Sequence, residues 1–276
     1  MVQKKLKNDI LYKRSFNKTK MEKKLSNFQF LSGSTLKMIA IITMLIDHVG
    51  AFLVIYTTPL YNQGNEGIAN AETCYWMLRQ IGRMAFPIFC FLLVEGFLHT
   101  KNSFYYLARV MVFAMLSEVP FDLAVTGTCI SWKYQNVYFT LLLGLGMLMV
   151  LDAMEDYKRT RTEFMADISP LVFFQGVAVI GTIGVAELIN CDYAGKGILL
   201  IAILYYARNQ RLIACIAGYI SFLWEPFCLP AFLLIPFYNG KRGKQMKYLF
   251  YVFYPVHLLV IIVFRYILFG IGVSIR

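Results

Sequence analysis

Hydrophobic residues along this chain come in long blocks separated by short polar breaks. The alternation of apolar and polar positions that marks a membrane β-barrel strand does not occur. Blocks of this length are typical of helices that cross a lipid bilayer, which takes ~20 residues. The pattern predicts an all-α fold, a polytopic transmembrane helical bundle of about nine spans (eight to ten), near residues 35–57, 79–98, 104–124, 136–152, 170–189, 196–207, 212–224, 227–238 and 247–270.

The sixth to eighth predicted spans are too short for a complete crossing of ~20 residues. Half-helices, re-entrant segments and spans in a locally thinned bilayer all fit this length. Pro226, Pro230 and Pro236 lie in this part of the chain. Because proline lacks an N–H and its ring clashes with the preceding turn, we expect a broken or kinked backbone here.

Lysine and arginine concentrate in alternate loops, and this asymmetry predicts the orientation of the bundle. With the N-terminus in the cytoplasm, the inner side receives the basic segments near 99–103, 153–169, 208–211 and 239–247. The outer loops keep few cations, such as Lys133 and Lys196. Since the last two inner segments are both basic, an even number of crossings separates them, as two short spans or a re-entrant hairpin.

The composition agrees with a membrane protein. The 276 residues are 58% hydrophobic and 16% charged, against roughly 25% charged residues in a soluble domain. Much of the net charge of +11 lies in residues 1–24, which hold nine Lys or Arg. We expect a basic cytoplasmic arm over 1–30, close to anionic lipid, and a single membrane domain over 31–276. The arm lacks the aromatic-basic interleaving of a nucleic-acid site, so no nucleic-acid partner is expected.

An aspartate and a histidine stand side by side in the first span, within 44-MLIDHVGAF-52. Ionisable groups at membrane depth are costly and are functional hypotheses by default. Adjacent helical residues point about 100° apart. Asp47 and His48 therefore do not pair with each other, and each requires a partner from another helix.

Two charged pairs with i, i+4 spacing lie at similar depth. Arg79 and Arg83 open the second predicted span, and Glu118 and Asp122 end the third. One interpretation is structural, with two arginines facing two carboxylates. The other is that one arginine binds an anionic substrate group or a developing oxyanion.

Further polar residues join this outer half. Asn136 and Thr140 share a face at the start of the fourth span, and Asp192 follows the fifth. His257 stands near mid-membrane beside Pro255. A lone histidine in a bundle is often a hydrogen-bonded packing residue. Two buried histidines together with several carboxylates and two arginines, mostly in the outer half, make a chance scatter less expected and favour a functional cluster.

A second polar group lies at the predicted inner ends of the first three spans: Lys37, Glu95, His99 and Arg109. Helix capping and snorkelling account for these residues. The alternative is a mouth for a cytosolic anionic ligand, such as the nucleotide end of coenzyme A.

Other chemistry receives less support. Cys74, Cys129 and Cys191 fall near predicted outer ends, where a disulfide is open but is not fixed by spacing. No cysteine pair has zinc-type spacing, and no metal site is predicted. The segment 33-GSTLK-37 has the wrong glycine spacing for a phosphate loop; Ser34 or Thr35 is expected to cap the first helix.

Several of these motifs together resemble the TraX family of membrane proteins, over about residues 34 to 262. The runs that carry the resemblance are 36-LKMIAIITMLIDHVGAF-52, 78-LRQIGRMAFPIFCFLLVEGFLHTKN-102, 116-LSEVPFD-122, 136-NVYFTLLLGL-145 and 251-YVFYPVHL-258. The resemblance implies a multi-pass protein of the bacterial cytoplasmic membrane. It also implies acetyl transfer to the amino terminus of pilin-like subunits, with acetyl-CoA as donor. Related multi-pass acyltransferases use an intramembrane histidine near the end of an early helix, which matches His48 here.

The resemblance and the polar residues suggest one mechanism. Acetyl-CoA holds its nucleotide toward the cytoplasm and its pantetheine arm within the bundle. His48 acts as general base on an amine or hydroxyl that arrives from outside, on a pilin-like peptide, a glycan or a small molecule. In a variant, an acetyl-imidazole forms and the acetyl group itself crosses the protein.

The other outer polar residues have supporting roles in this mechanism. Glu118 or Asp122 orients the imidazole, and Arg79 or Arg83 stabilises the oxyanion. Two residues remain: Asn136, as a second donor, and His257, as a second acid/base or a hydrogen bond to the thioester region.

Two other classes of protein stay open. Buried Arg, Asp, Glu and His also build transporters and proton relays, although no internal repeat is evident. A non-catalytic factor for pilus or conjugation assembly is the second alternative. It would tolerate the loss of His48 together with Asp47, whereas an enzyme would not.

Overall fold

A computed structural model describes residues 28–57, 65–160, 169–244 and 247–270. Most of the predicted basic arm over 1–30, and part of the basic segment over 153–169, lie outside these residues. Ten α-helices form within the described ranges: α1 (Gly33–Phe52), α2 (Asn65–Gly82), α3 (Ala85–His99), α4 (Ser103–Val125), α5 (Val137–Thr160), α6 (Ser169–Leu188), α7 (Ala194–Tyr206), α8 (Arg211–Ser221), α9 (Leu229–Leu234) and α10 (Lys247–Phe269). Short 3-10 turns cover Val54–Thr57, Pro226–Cys228 and Ile235–Phe237.

The all-helical prediction is confirmed for the described part of the chain. Five segments there are long and apolar enough to cross a membrane: Gly33–Phe52, Asn70–His99, Val137–Tyr157, Pro170–Leu188 and Leu249–Phe269. Shorter apolar segments are Ala194–Tyr206, Arg211–Ser221 and Pro226–Phe237. Helix α4 has 23 residues but carries three charged side chains. The chain is thus a helical membrane protein by length and composition of its helices.

The second predicted span is not one continuous helix. Helix α2 ends at Gly82, and α3 begins at Ala85 after a short break. Arg79 therefore lies in the last turn of α2, whereas Arg83 lies in the break. The two arginines therefore do not share one continuous helix, although both lie close enough to act on Asp47.

Local signals at the helix ends explain other boundaries. The α1 cap is Ser32, whose hydroxyl accepts a hydrogen bond from the Thr35 N–H at 3.2 Å, so neither Ser34 nor Thr35 is the cap. Pro226, Pro230 and Pro236 each fall in the first turn of a short helical piece. This confirms the predicted breaks, since proline is tolerated in a first turn but not in a helix interior.

Basic segments predicted for one side of the membrane meet at one end of the bundle. The N–H of Gly33 donates to the Lys241 carbonyl at 2.8 Å, and Arg211 donates to the Tyr238 carbonyl at 2.5 Å. Arg242 reaches the carbonyl of His99 at 3.4 Å. We call this the inner end. The opposite end, called the outer end, joins the loops 126–135, 189–193 and 222–225 to the ends of α1 and α2.

The interior of the bundle centres on α3 and α7, whose apolar side chains are almost wholly buried. In α6 and α10 the large hydrophobic side chains point outward; Ile180 and Ile267 are 70% and 69% exposed. Exposed apolar side chains of this size are the surface expected to face lipid tails. The polar groups enclosed by this shell are consequently set apart from lipid.

Candidate functional site

The two histidines of the predicted reaction centre contact each other directly. Nδ1 of His48, on α1, lies 2.6 Å from Nε2 of His257, on α10. His257 is buried and His48 is half-buried. The structure thus supplies the partner from another helix that His48 was expected to require.

The hydrogen bonds of His257 fix which ring nitrogen carries each proton. Its Nδ1 lies 2.7 Å from the carbonyl oxygen of Phe253. A carbonyl only accepts, so Nδ1 of His257 is the protonated nitrogen, and its Nε2 is the acceptor when the ring is neutral. His48 then donates through Nδ1–H, and its Nε2 carries the lone pair. This is the tautomer that a general base requires.

Aromatic residues of α1 and α10 pack against the histidine pair, and Tyr138 of α5 packs against one of them, Tyr254. Tyr254 is buried, and its ring centre lies 5.9 Å from His48 and 5.6 Å from His257. Pro255 has no N–H to give to the Tyr251 carbonyl one turn earlier. That carbonyl instead accepts from the Tyr138 hydroxyl at 3.4 Å.

Asp47 forms an ion pair with Arg79 at 2.5 Å, which confirms a partner on another helix. The side chains are 15% and 23% exposed. The second oxygen of Asp47, Oδ1, is buried and without a hydrogen-bond partner among the described residues. Gly82 makes the approach of α1 and α2 possible, because a Cβ there would overlap the Asp47 side chain.

Arg83 pairs with Glu225, which sequence reasoning missed. Nε of Arg83 lies 3.2 Å from a Glu225 oxygen. Glu225 immediately precedes Pro226, in the loop between α8 and the next helical turn. The only signal in the sequence is an isolated carboxylate at a predicted outer end, which does not identify its partner.

The predicted ladder of Arg79 and Arg83 against Glu118 and Asp122 was wrong. Glu118 accepts from the backbone N–H of Asn136 at 3.3 Å and from its side-chain amide. Asp122 accepts from the Ser131 N–H at 2.6 Å. Both carboxylates hold the connection between α4 and α5.

Two supporting roles in the predicted mechanism therefore fail. Glu118 and Asp122 do not orient His48, since His257 occupies its Nδ1. Asn136 is not a spare oxyanion donor. The side-chain amide of Asn136 donates one N–H to the Ala114 carbonyl at 2.9 Å and the other N–H to Glu118. Both of its N–H groups are therefore in use.

Asp192 lies in the turn between α6 and α7, close to Arg79, Arg83 and Asp47. The turn holds three non-glycine residues with positive φ, Asn190 (50°), Tyr193 (63°) and Ala194 (37°), and such strain clusters at functional sites. The side chain of Asp192 keeps accessible surface, although protein packs closely around its carboxylate. The loss of hydration raises the pKa of Asp192 to about 6, although Arg79 and Arg83 oppose the shift.

The four predicted inner residues do not form one site. Nδ1 of His99 is 2.8 Å from the Glu95 carbonyl and 3.7 Å from its carboxylate, so this pair stabilises the end of α3. Lys37 lies over the Phe250 ring at 5.2 Å. Arg109 faces a separate cavity lined by residues 100–113.

Among the described residues, the cysteines form no disulfide and the possible metal ligands form no metal site. All six cysteines are free; Cys74 and Cys129 are exposed and Cys191 is buried. The open disulfide is therefore not formed in this structure. In the ranges that the structure describes, no group of three or more His, Cys, Asp or Glu residues is arranged to hold a metal ion.

The fold and the outer polar cluster define a helical membrane protein with a histidine pair between the first and last helices that the structure describes. The TraX family model, described as TraX protein, matches residues 32–265. The chain belongs to the TraX family, as its sequence motifs predicted. It is also similar to a probable fimbrial assembly protein, FimC of serogroup H1, from Dichelobacter nodosus, with 28% identity over 255 residues, covering 83% of this chain and 94% of that protein. No solved structure matches.

Proposed function

We propose that this protein is an integral membrane acyltransferase that moves an acetyl group from acetyl-CoA to an amine or hydroxyl acceptor at the outer side of the membrane. The observation that carries the proposal is the hydrogen-bond chain from the Phe253 carbonyl through His257 to His48. Its geometry leaves Nε2 of His48 as a base. A buried histidine oriented by a second group is the arrangement used for proton removal in acyl transfer.

In this mechanism His48 removes a proton from the acceptor through Nε2. The acceptor nitrogen or oxygen attacks the thioester carbon, and the C–S bond breaks as the tetrahedral species collapses. The proton held by His48 then passes to the departing thiolate, so that acetylated acceptor and free thiol leave. In the alternative order His48 itself takes the acetyl group before the acceptor arrives.

Charged side chains near His48 have supporting roles in the proposed reaction. Arg79 and Arg83 place positive charge at the outer end, where an oxyanion is stabilised. Asp47, next to His48 in the chain, joins α1 to α2 through Arg79 and so holds α1 at the site.

The proposal includes an orientation. We infer about nine crossings of the bacterial cytoplasmic membrane, with the N-terminus in the cytoplasm and the histidine pair toward the outside. Positive charges at the inner end support this direction. The donor then enters from the cytosol and the acceptor from the outer side.

A second function, assembly of a surface fibre without catalysis, is supported by the name of the Dichelobacter nodosus relative. Here the histidine pair would only hold α1 against α10. The two functions differ in their need for Nε2 of His48, because a structural pair uses Nδ1 alone.

The decisive experiment is turnover of radiolabelled acetyl-CoA by purified protein in nanodiscs, with pilin-like peptide and small amine acceptors. Wild type is compared with His48→Ala and with His99→Ala, an exposed histidine at the inner end. We expect transfer by wild type and His99→Ala, and loss of at least about a hundredfold in His48→Ala. Full activity in His48→Ala would overturn the proposed role of His48, and assembly function that survives it would favour the non-catalytic alternative.

A further inference from the structure

A cavity of about 590 Å³ lies at the inner end, where α3 ends and α4 begins. Its lining combines two cations, two hydroxyls, one amide and an apolar wall: Thr100, Lys101, Asn102, Tyr105, Ala108, Arg109, Val112 and Phe113. None of these described lining residues is a carboxylate. A concave site whose charged side chains are all positive attracts an anion.

Arg109 lines this cavity, and its guanidinium carries one unsatisfied donor. Its Nε is buried and without a hydrogen-bond partner among the described residues. The guanidinium lies 5.8 Å from the Tyr106 ring centre and hydrogen-bonds to Tyr251. Nearly all buried donors in proteins are paired. A planar guanidinium with a spare N–H is suited to an oxygen-rich anion, and to phosphate in particular.

The position of the cavity indicates where such an anion comes from. Phe104, Val112 and Leu116 on α4 are 67%, 52% and 58% exposed, so the cavity borders the apolar outer surface of the bundle. On its other side Arg242 contacts the His99 carbonyl, one residue before the cavity lining. The cavity thus lies where lipid-facing surface meets the basic inner loops, at the level of lipid phosphates and of soluble nucleotides.

We infer that this cavity binds a phosphate-bearing group. Arg109 and Lys101 supply the charge, and the Asn102 amide and Tyr105 hydroxyl are further donors. The phosphate has two sources. It belongs either to coenzyme A, in which case the inference rests on the proposed function and marks the entry of the donor, or to the headgroup of an anionic phospholipid. The wall of Val112 and Phe113 then contacts the apolar part of the ligand.

Two binding measurements on the full chain test the inference. Coenzyme A binding to protein in zwitterionic nanodiscs is measured by calorimetry, and phosphatidylglycerol retention is measured by native mass spectrometry from mixed micelles. The variants are Lys101→Gln, Arg109→Gln and the control Lys133→Gln, an exposed lysine in the outer loop. Lys101 is also exposed, so its substitution leaves folding intact.

We expect each inner variant to weaken the binding of one of the two ligands by about tenfold, which is the effect of one charge-assisted hydrogen bond. The control Lys133→Gln should bind both ligands as wild type does. Weaker coenzyme A binding identifies the nucleotide, and weaker lipid retention identifies the headgroup. If Lys101→Gln and Arg109→Gln both bind both ligands within twofold of wild type, the inference is wrong. His48→Ala separates the proposals, because it should stop acetyl transfer without changing phosphate binding.

Discussion

Nδ1 of His48 and Nε2 of His257 lie 2.6 Å apart, although 209 positions separate them in the chain. The contact joins the first described helix to the last and fixes the tautomer of His48. The neutral partner accepts the Nδ1–H of His48 and leaves the lone pair of a neutral imidazole on Nε2. The pair therefore bears directly on the proposed role of His48 as a base.

Replacement of His257 should slow transfer without weakening donor binding. His257→Ala leaves Nδ1 of His48 without its acceptor, so the imidazole rotates and changes tautomer. We expect kcat to fall by about tenfold to a hundredfold, part of the full contribution of a general base, with KM for acetyl-CoA unchanged. His257→Gln, whose side-chain oxygen can accept the same hydrogen bond, should retain more activity than His257→Ala.

The matched control is His99→Ala, on the inner end. Steady-state rates and the pH profile of kcat distinguish positioning from packing, since only positioning moves the pH profile. If His257→Ala and His257→Gln lose kcat equally and show an unchanged pH profile, His257 serves as packing and not as a positioning residue.

The ion pair between Asp47 and Arg79 should be strongly coupled in stability. Either single change, Asp47→Asn or Arg79→Gln, leaves a poorly solvated group without its partner and should cost about 1–3 kcal/mol of unfolding free energy. The double variant should cost less than the sum, because the orphaned group is removed. Reversible denaturation of the four proteins in the same detergent measures this coupling. Strictly additive losses would show that the two side chains do not interact.

Much of this architecture was predictable from the sequence because helix length and loop charge are local properties. Apolar blocks predicted the helices, and basic loops predicted which segments share an end of the bundle. Depth in the membrane also follows from position in a block, which is why Asp47 and His48 were expected to need partners. Position in a block does not determine the direction in which a side chain points around its helix axis.

That missing direction explains the errors at the site. Arg79 and Arg83 were expected at the depth of Glu118 and Asp122, but they form ion pairs with Asp47 and Glu225 instead. The pairing of Glu225 was not predicted because this residue lies in the loop between α8 and a 3-10 turn, where periodicity carries little information. Pairing across helices depends on packing geometry, which no local pattern encodes.

Gly82 should be more sensitive to substitution than other helical glycines. A Cβ at Gly82 would overlap the Asp47 side chain, whereas a Cβ at Gly176 in α6 meets nothing within 4 Å. Gly82→Ala should therefore separate α1 from α2 and cost about 1–3 kcal/mol through overpacking. Gly176→Ala should be neutral or slightly stabilising, because alanine is the better helix former. Thermal unfolding of the purified variants measures both. Equal midpoints for the two variants would contradict the close approach of Asp47 to Gly82.

The exposed cysteines report the orientation of the bundle. Cys74 and Cys129 are exposed near the outer end, and the other four cysteines are buried. If the N-terminus is cytoplasmic, a membrane-impermeant maleimide should label both exposed cysteines in intact spheroplasts, and Cys74→Ser/Cys129→Ser should abolish the labelling. Adding Lys241→Cys to that double variant places one thiol at the inner end, which should react only after permeabilisation. Labelling of the Lys241→Cys variant in intact spheroplasts, together with no labelling of Cys74 and Cys129 in the wild-type protein, would reverse the orientation and place the histidine pair toward the cytosol.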